Sequence, residues 1–363
     1  MPDRIYNFSP GPATLPVEVL QQAAMDIVNY NDKGIGLIEM SHRSKDFMAI
    51  TAEAEELIRE LLNVPRNYKV LFLQGGASTQ FAMVPINLLQ PGQQAGYLIT
   101  GVWSQMAFKE AQRLKNAYQV ATTEHHGFTS IPDYQTWNIQ KNTSYLYYCP
   151  NETVNGVRFP FIPESTGIPL IADITSCMLS EPLEIEQYGL VFAGVQKNIA
   201  NAGLTIVVVR EDLLIDEPNP VIPSMLNYKL QAEHHSVYAT PPVFNCYLAA
   251  IMFDWIKEQG GVAAIYQQNC QKAGKLYQFL DGSEFYTTSV EKKARSIVNV
   301  CFDLQKKNLT NQFLVQAEQR GLYSLSGHRK VGGFRASLYN AMPMAGVDAL
   351  IEFMSDFAQE NNR

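Results

Sequence analysis

Apolar positions along the chain change period several times, and each change marks an element. Ile5 to Leu15 is broken by Pro10, Gly11 and Pro12, which predicts an extended arm ahead of a helix starting near Pro16. From Phe47 to Leu62 the residues Phe47, Ile50, Leu57, Ile58, Leu61 and Leu62 recur at helical spacing with acids between them. Strand and helix patterns then alternate. Lys69–Leu73 predicts a strand and Ala77–Leu89 a helix; Tyr97–Ile99 predicts a short strand and Trp103–Leu114 a helix. Buried strands are predicted at Tyr145–Cys149, Ile168–Ala172 and Leu190–Ala193, and Leu204–Val209 is the most β-branched run of all. Such alternation predicts an α/β fold with a mostly parallel, doubly wound sheet whose ligands bind at the strands' carboxyl ends.

Glu211 to Pro242 is loop-rich, with Pro218, Pro220, Pro223, Pro241 and Pro242, before a long helix Val243–Glu258 that stops at Gly260-Gly261. Beyond it the pattern predicts helices at Val262–Leu280, Thr310–Arg320 and after Val347, with strands at Ile297–Phe302 and Gly333–Leu338. A chain of 363 residues exceeds the size at which one core keeps growing. The expected division is a large domain over 16–258 and a smaller α+β domain from 1–15 with 259–363. The net charge of −7 offers no dense basic cluster for nucleic acid or an acidic membrane. No apolar run approaches the roughly 20 residues that span a bilayer, and the first residues lack a signal-peptide core. A cytoplasmic protein is expected. Its five cysteines, scattered and without C-x-x-C spacing, read as reduced thiols rather than a disulfide frame or a metal site. Cys177, close to Asp173, is either a buried thiol or a nucleophile.

The chemistry concentrates at two strand ends. Asp173 follows Ile168–Ala172, and Lys197 follows Leu190–Ala193 in Gly194-Val195-Gln196-Lys197-Asn198. Pyridoxal phosphate needs a lysine for its Schiff base and a carboxylate to keep its pyridine nitrogen protonated, so this pair suits that cofactor. The bland alternatives are a capping aspartate and a snorkelling surface lysine. Leu73-Gln74-Gly75-Gly76-Ala77-Ser78 joins a strand to a helix start, either as a phosphate cradle or simply as a tight turn. Trp103, also at a strand-to-helix junction, either stacks on a planar cofactor or packs in the core. His42, Arg43, His328, Arg329 and Arg335 each read singly as surface cations, but five together suit a dianionic substrate.

Asn7-Phe8-Ser9-Pro10-Gly11-Pro12, Ser41-His42-Arg43-Ser44, Gln74-Gly75-Gly76-Ala77-Ser78, Cys149-Pro150-Asn151-Glu152-Thr153, Gly194-Val195-Gln196-Lys197-Asn198, Gly327-His328-Arg329 and Arg335–Ala341 run nearly end to end. With them the chain resembles the phosphoserine aminotransferases, in the class V branch of the fold type I pyridoxal phosphate enzymes. The resemblance implies that Lys197 carries the cofactor, Asp173 pairs with its ring nitrogen, Trp103 stacks on the ring and Thr153 bonds near its phenolic edge. Ala77, Ser78 and Gln196 would hold the phosphate. It further implies a homodimer in which the partner supplies a phosphate contact from an Asn-Thr-Pro-Pro segment. Here that segment reads Ala239-Thr240-Pro241-Pro242, which leaves Thr240 in place and loses the asparagine. The implied reaction is transamination between L-glutamate and 3-phosphohydroxypyruvate, with Arg335 on the α-carboxylate and His42, Arg43, His328 and Arg329 on the distal anion. Activity on 4-phosphohydroxy-L-threonine, a cysteine desulfurase and a non-catalytic pyridoxal-binding protein are the rival readings. Cys301, inside an apolar strand, is a poor desulfurase nucleophile.

Overall fold

The computed structural model describes residues 4–165, 167–215 and 222–361. Pro218 and Pro220 of the loop-rich section lie outside them. Seven strands build the central sheet: β1 (Tyr68–Gln74), β2 (Gln94–Ile99), β3 (Ala117–Thr122), β4 (Thr143–Tyr148), β5 (Leu170–Asp173), β6 (Leu190–Gly194) and β7 (Leu204–Arg210). Their order is β1-β7-β6-β5-β4-β2-β3. Only β7 runs against its neighbours, pairing Val207 with Leu71 on one side and Phe192 on the other. The remaining pairs are parallel, as the alternating helices require.

Both faces of the sheet are covered, which is why its strands read as continuous apolar runs. Val70, Phe72, Ile206 and Val208 enter one hydrophobic cluster, and Leu71, Leu73, Val207 and Val209 enter the other. The first cluster is closed by α1 (Val17–Val28), α2 (Lys45–Leu62) and the helix Val243–Glu258. Ser44 Oγ caps α2 by accepting from the Phe47 N–H (3.1 Å), and Phe47, Ile50, Ala54, Leu57, Ile58 and Leu62 form its buried stripe. The opposite cluster is closed by α3 (Ala77–Leu88) and α4 (Val102–Leu114). Ile206 is fully buried at the centre, so Ile206→Ala should cost about 2–5 kcal/mol.

After the short α5 (Tyr228–Glu233) and α6 (Val243–Glu258), α7 (Gly261–Asp281) runs between two apolar clusters. Its Val262 and Ile265 pack with the large one, whereas Ala273, Leu276 and Leu280 join a separate cluster around Phe302, Phe313 and Phe353. That second cluster covers an antiparallel sheet of β8 (Tyr286–Thr287), β9 (Asn299–Leu304) and β10 (Phe334–Ser337), backed by α8 (Thr310–Gln319) and α9 (Met344–Asn361). The N-terminal arm belongs to it through Phe8 and through Tyr6–Asn7, which pairs in parallel with Leu322–Tyr323. The arm then turns back over the large sheet, where the Ala13 N–H donates to Gln196 O (3.0 Å).

Candidate active site

The carboxyl ends of β1, β2, β4, β5 and β6 all open onto one edge of the sheet. Asp173 is the last residue of β5 and pairs with Phe192 of β6, so Lys197, three residues after that strand, emerges beside it. A cavity of about 120 Å³ lies between them, lined by Ala77, Ser78, Trp103, Thr153, Asp173, Gln196 and Lys197 among others. The parallel registers therefore gather residues that stand up to 120 positions apart in sequence.

Lys197 is only 6% exposed. Its Nζ donates to Thr153 Oγ1 and stands 5.7 Å from the centre of the Trp103 ring. Burial pushes the Lys197 amine down to about 8, against the opposing pull of Asp173. Burial likewise raises the Asp173 carboxyl, and hydrogen bonds from Thr175 with the Lys197 charge pull it back. The Thr175 N–H reaches Asp173 Oδ1 at 2.9 Å, so Asp173 does form a local turn, but at the wall of the cavity. Gly11 crosses close above, at φ +141°; a Cβ there would come within 3.3 Å of Lys197 Cγ.

Two helices point their N-termini at this edge. Gly76 caps α3 without a side-chain hydrogen bond, leaving the first-turn N–H groups of Ala77 and Ser78 at the cavity wall. The α4 terminus is satisfied differently. Glu152, fully buried, accepts from the Trp103 N–H (3.0 Å), the Ser104 N–H (2.8 Å) and Ser104 Oγ (2.6 Å). Burial raises its carboxyl, and these bonds oppose the rise. Gly101 makes room: any Cβ there would lie 2.3–2.5 Å from the Glu152 carboxyl group.

Beside Glu152, Asn151 is also fully buried. Its Nδ2 donates to Ser176 Oγ (2.8 Å) and Asn299 Oδ1 (2.9 Å), and its Oδ1 accepts from Ser296 Oγ (2.5 Å). Neither Glu152 nor Asn151 was among the expected site residues. A helix start at Gly101 with no capping side chain was the available sign that α4 needed an acceptor from elsewhere.

Arg335, on β10, reaches the same place from the small sheet. Its Nη1 donates to Thr153 O (3.3 Å), while its buried Nε has no partner in the protein. Burial lowers its pKa. His328 is half-buried and held below the usual imidazole range by burial and by the Arg335, Lys330 and Arg329 charges. Among the described residues no carboxylate pairs with His328, Arg329 or Arg335, which leaves an uncompensated cationic cluster. Arg329 is exposed.

Other expected residues are not brought to the cavity within one chain. His42 and Arg43 sit in a surface turn where the Arg43 N–H donates to Ser41 Oγ (3.2 Å). Thr240 is exposed, its carbonyl accepting from Gln74 Nε2 (2.5 Å), and Ala239 is half-buried next to it. Cys177 is buried and its thiol is pushed well up by that burial, which fits the inert reading and not a nucleophile.

The family model described as aminotransferase class-V matches residues 5–350. The phosphoserine aminotransferase of Legionella pneumophila (strain Corby) is 60% identical over 99% of this chain and 100% of its own. Among solved structures, phosphoserine aminotransferase from Bacillus circulans subsp. alkalophilus superposes with a TM-score of 0.96 at 42% identity, covering 98% of this chain and 99% of that one. The pyridoxal phosphate-bound phosphoserine aminotransferase from Trichomonas vaginalis gives 0.94 at 38% identity, covering 97% and 100%.

Proposed function

This chain belongs to the class-V aminotransferase family, and from that premise we propose that it exchanges amino groups between L-glutamate and 3-phosphohydroxypyruvate. The products are 2-oxoglutarate and O-phospho-L-serine, and the reaction, reversible, is that of phosphoserine aminotransferases in serine biosynthesis. Its cofactor is pyridoxal 5′-phosphate. The cavity suits that group: a buried amine, a buried carboxylate, an indole ring and uncapped helix N–H groups match its aldehyde, ring nitrogen, ring face and phosphate. When bound, the cofactor's protonated ring draws electrons from the bond being broken at the substrate's α-carbon.

One observation carries the reading. Thr153 accepts from Lys197 through its hydroxyl and from Arg335 through its carbonyl, so a base and an anion clamp are held on a single residue. Arg335 grips the α-carboxylate of the amino donor, and its unpartnered Nε supplies a second donor. That clamp presents the α-carbon to Lys197 Nζ, which takes its proton; an amine at about 8 serves as a base near neutral pH. Asp173 keeps the heterocycle protonated, and Trp103 covers its face. Ala77, Ser78 and Gln196 bind the phosphate, assisted by the N-terminal dipole of α3.

The active unit is a homodimer. Support comes from residues left away from the cavity in a single chain: His42, Arg43 and Thr240 do not line it, yet carry the cations and the hydroxyl that an anionic substrate or a phosphate needs. Exposed apolar side chains at Val17, Leu20, Met25, Val28 and Ile38 offer a face for association. His328 and Arg329 join His42 and Arg43 on the substrate's distal phosphate, some of them across the interface. The chain divides at Gly260-Gly261 into the large domain and the smaller one, which Phe8 and the arm complete. A cytoplasmic location fits the absence, among the described residues, of a helix long and apolar enough to cross a membrane. 4-Phosphohydroxy-L-threonine, which also joins a phosphate to an amino acid, is a second substrate.

Glutamate formation from 2-oxoglutarate with phosphoserine, alanine or cysteine as amino donor tests the assignment. Phosphoserine should exceed the others by orders of magnitude in kcat/KM; preference for alanine or cysteine would overturn it.

A further inference from the structure

A second buried lysine lies outside the cavity. Lys272, on α7, is 2% exposed and has no carboxylate partner among the described residues. Its Nζ instead donates to three backbone oxygens: Leu338 O (3.2 Å), Tyr339 O (2.9 Å) and Met342 O (3.0 Å). A burial this deep is costly for an ammonium, and it pushes the Lys272 pKa down to about 7. Three converging carbonyl dipoles work in the other direction, since they favour the charged form.

The segment so held connects to both ends of the proposed chemistry. Leu338 follows β10, three residues beyond Arg335. Tyr339 Oη donates to Pro10 O (3.0 Å), next to the Gly11 that crosses Lys197. The Asn340 N–H donates to Asn198 Oδ1 (3.2 Å), and Asn198 adjoins Lys197. One turn earlier on α7, Asn269 Nδ2 donates to Asn340 Oδ1 (3.0 Å) and to Ser180 O (3.0 Å), in the turn that follows Asp173. Thus one polar face of α7 meets the segments bearing Asp173, Lys197 and Arg335.

We propose that Lys272 is a positioning residue of this active site, its ammonium acting as a built-in monovalent cation in a three-carbonyl socket. By fixing residues 338–342 it sets Arg335 relative to Lys197. The inference deepens the proposed function and rests on Arg335 being the substrate's carboxylate clamp. A cleft of about 500 Å³, lined by Tyr6, Val17, Trp255, Gln271 and Lys272, leads from solvent to this socket, so a small cation can enter once the side chain is shortened.

The test uses holoenzyme carrying Lys272→Met or Lys272→Ala, with phosphoserine as donor. Without the cation the carbonyls lose their shared donor and the clamp loosens. In Lys272→Met the KM for the donor should rise about tenfold or more, with kcat falling much less. In Lys272→Ala, methylammonium should restore KM and raise the melting temperature saturably, while tetramethylammonium, which has no N–H donor, should do neither. An unchanged KM in Lys272→Met, or a folded Lys272→Ala indifferent to methylammonium, overturns the proposal. If Lys272→Ala does not fold, Lys272→Gln carries the KM test with the same two outcomes. Wild-type holoenzyme inactive on phosphoserine would refute the assigned reaction instead, and the melting response to methylammonium would still decide the cation socket.

Discussion

Removing the Glu152 carboxylate should loosen the α4 terminus: Ser104 Oγ still accepts from the Gly101 N–H (3.2 Å), but the Trp103 and Ser104 N–H groups have Glu152 alone as acceptor. The structure sets the size of the effect. Glu152 accepts from two backbone N–H groups and one hydroxyl. In Glu152→Ala the Ser104 hydroxyl retains Gly101 O at 3.3 Å, but the Trp103 and Ser104 N–H groups lose their acceptor while buried. Two orphaned donors at about 1–3 kcal/mol each give roughly 2–6 kcal/mol. Loss of an anion at a helix N-terminus adds about 0.3–1 kcal/mol. Relief of the carboxylate's own desolvation offsets part of this, since burial is what raises its pKa most. For a chain of this length the melting temperature should fall by about 3–8 °C. Glu152→Gln keeps one acceptor and should fall between wild type and Glu152→Ala. Differential scanning calorimetry of the three proteins reads the order. Trp103 sits at the second position of α4, so absorbance of the bound cofactor should shift in the same order. Equal melting temperatures for wild type and Glu152→Ala would refute the capping role.

Arg335→Gln removes the proposed carboxylate clamp, a loss of about 2–5 kcal/mol that steady-state kinetics should show as a fall of about 30-fold or more in kcat/KM. Its visible cofactor band should persist. Arg329→Ala should impair turnover of phosphoserine far more than cofactor loading, and equal losses in both would contradict its place on the distal phosphate. In the cofactor-free chain the Lys197 amine titrates near 8, below its ordinary 10.5. Between these values the unfolded chain binds more protons, so wild-type stability should rise with pH from about 8 to 10.5 relative to Lys197→Met. Parallel denaturation curves across that window would show that the amine is not perturbed.

Much of the fold was legible because its strands are buried on both faces. Leu204–Val209 and Leu190–Ala193 could hardly be read otherwise, and Val243–Glu258 has the limits its pattern predicts. The edge strand Ala117–Thr122 was missed: it is half exposed, and Tyr118, Val120 and Ala121 make no continuous run. At the site, Lys197 and Asp173 stood out because each follows an apolar strand. Glu152 and Asn151 did not, since their partners come from α4 and from Ser296 and Asn299, far away in sequence. Lys272 reads as an ordinary helix-surface lysine until the carbonyls at Leu338, Tyr339 and Met342 are seen to converge on it. The cations at His42 and Arg43 were visible as residue types, but no pattern within one chain tells where such side chains act.

The proposed chemistry rests on one amine, Lys197, as the cofactor's attachment point. Borohydride reduction of the yellow holoenzyme followed by peptide mass mapping tests it most directly. A single reduced pyridoxyl adduct is expected on the peptide containing Gln196-Lys197-Asn198, absent from Lys197→Ala. An adduct on the other buried lysine, Lys272, or bound cofactor that borohydride leaves unattached, would contradict it.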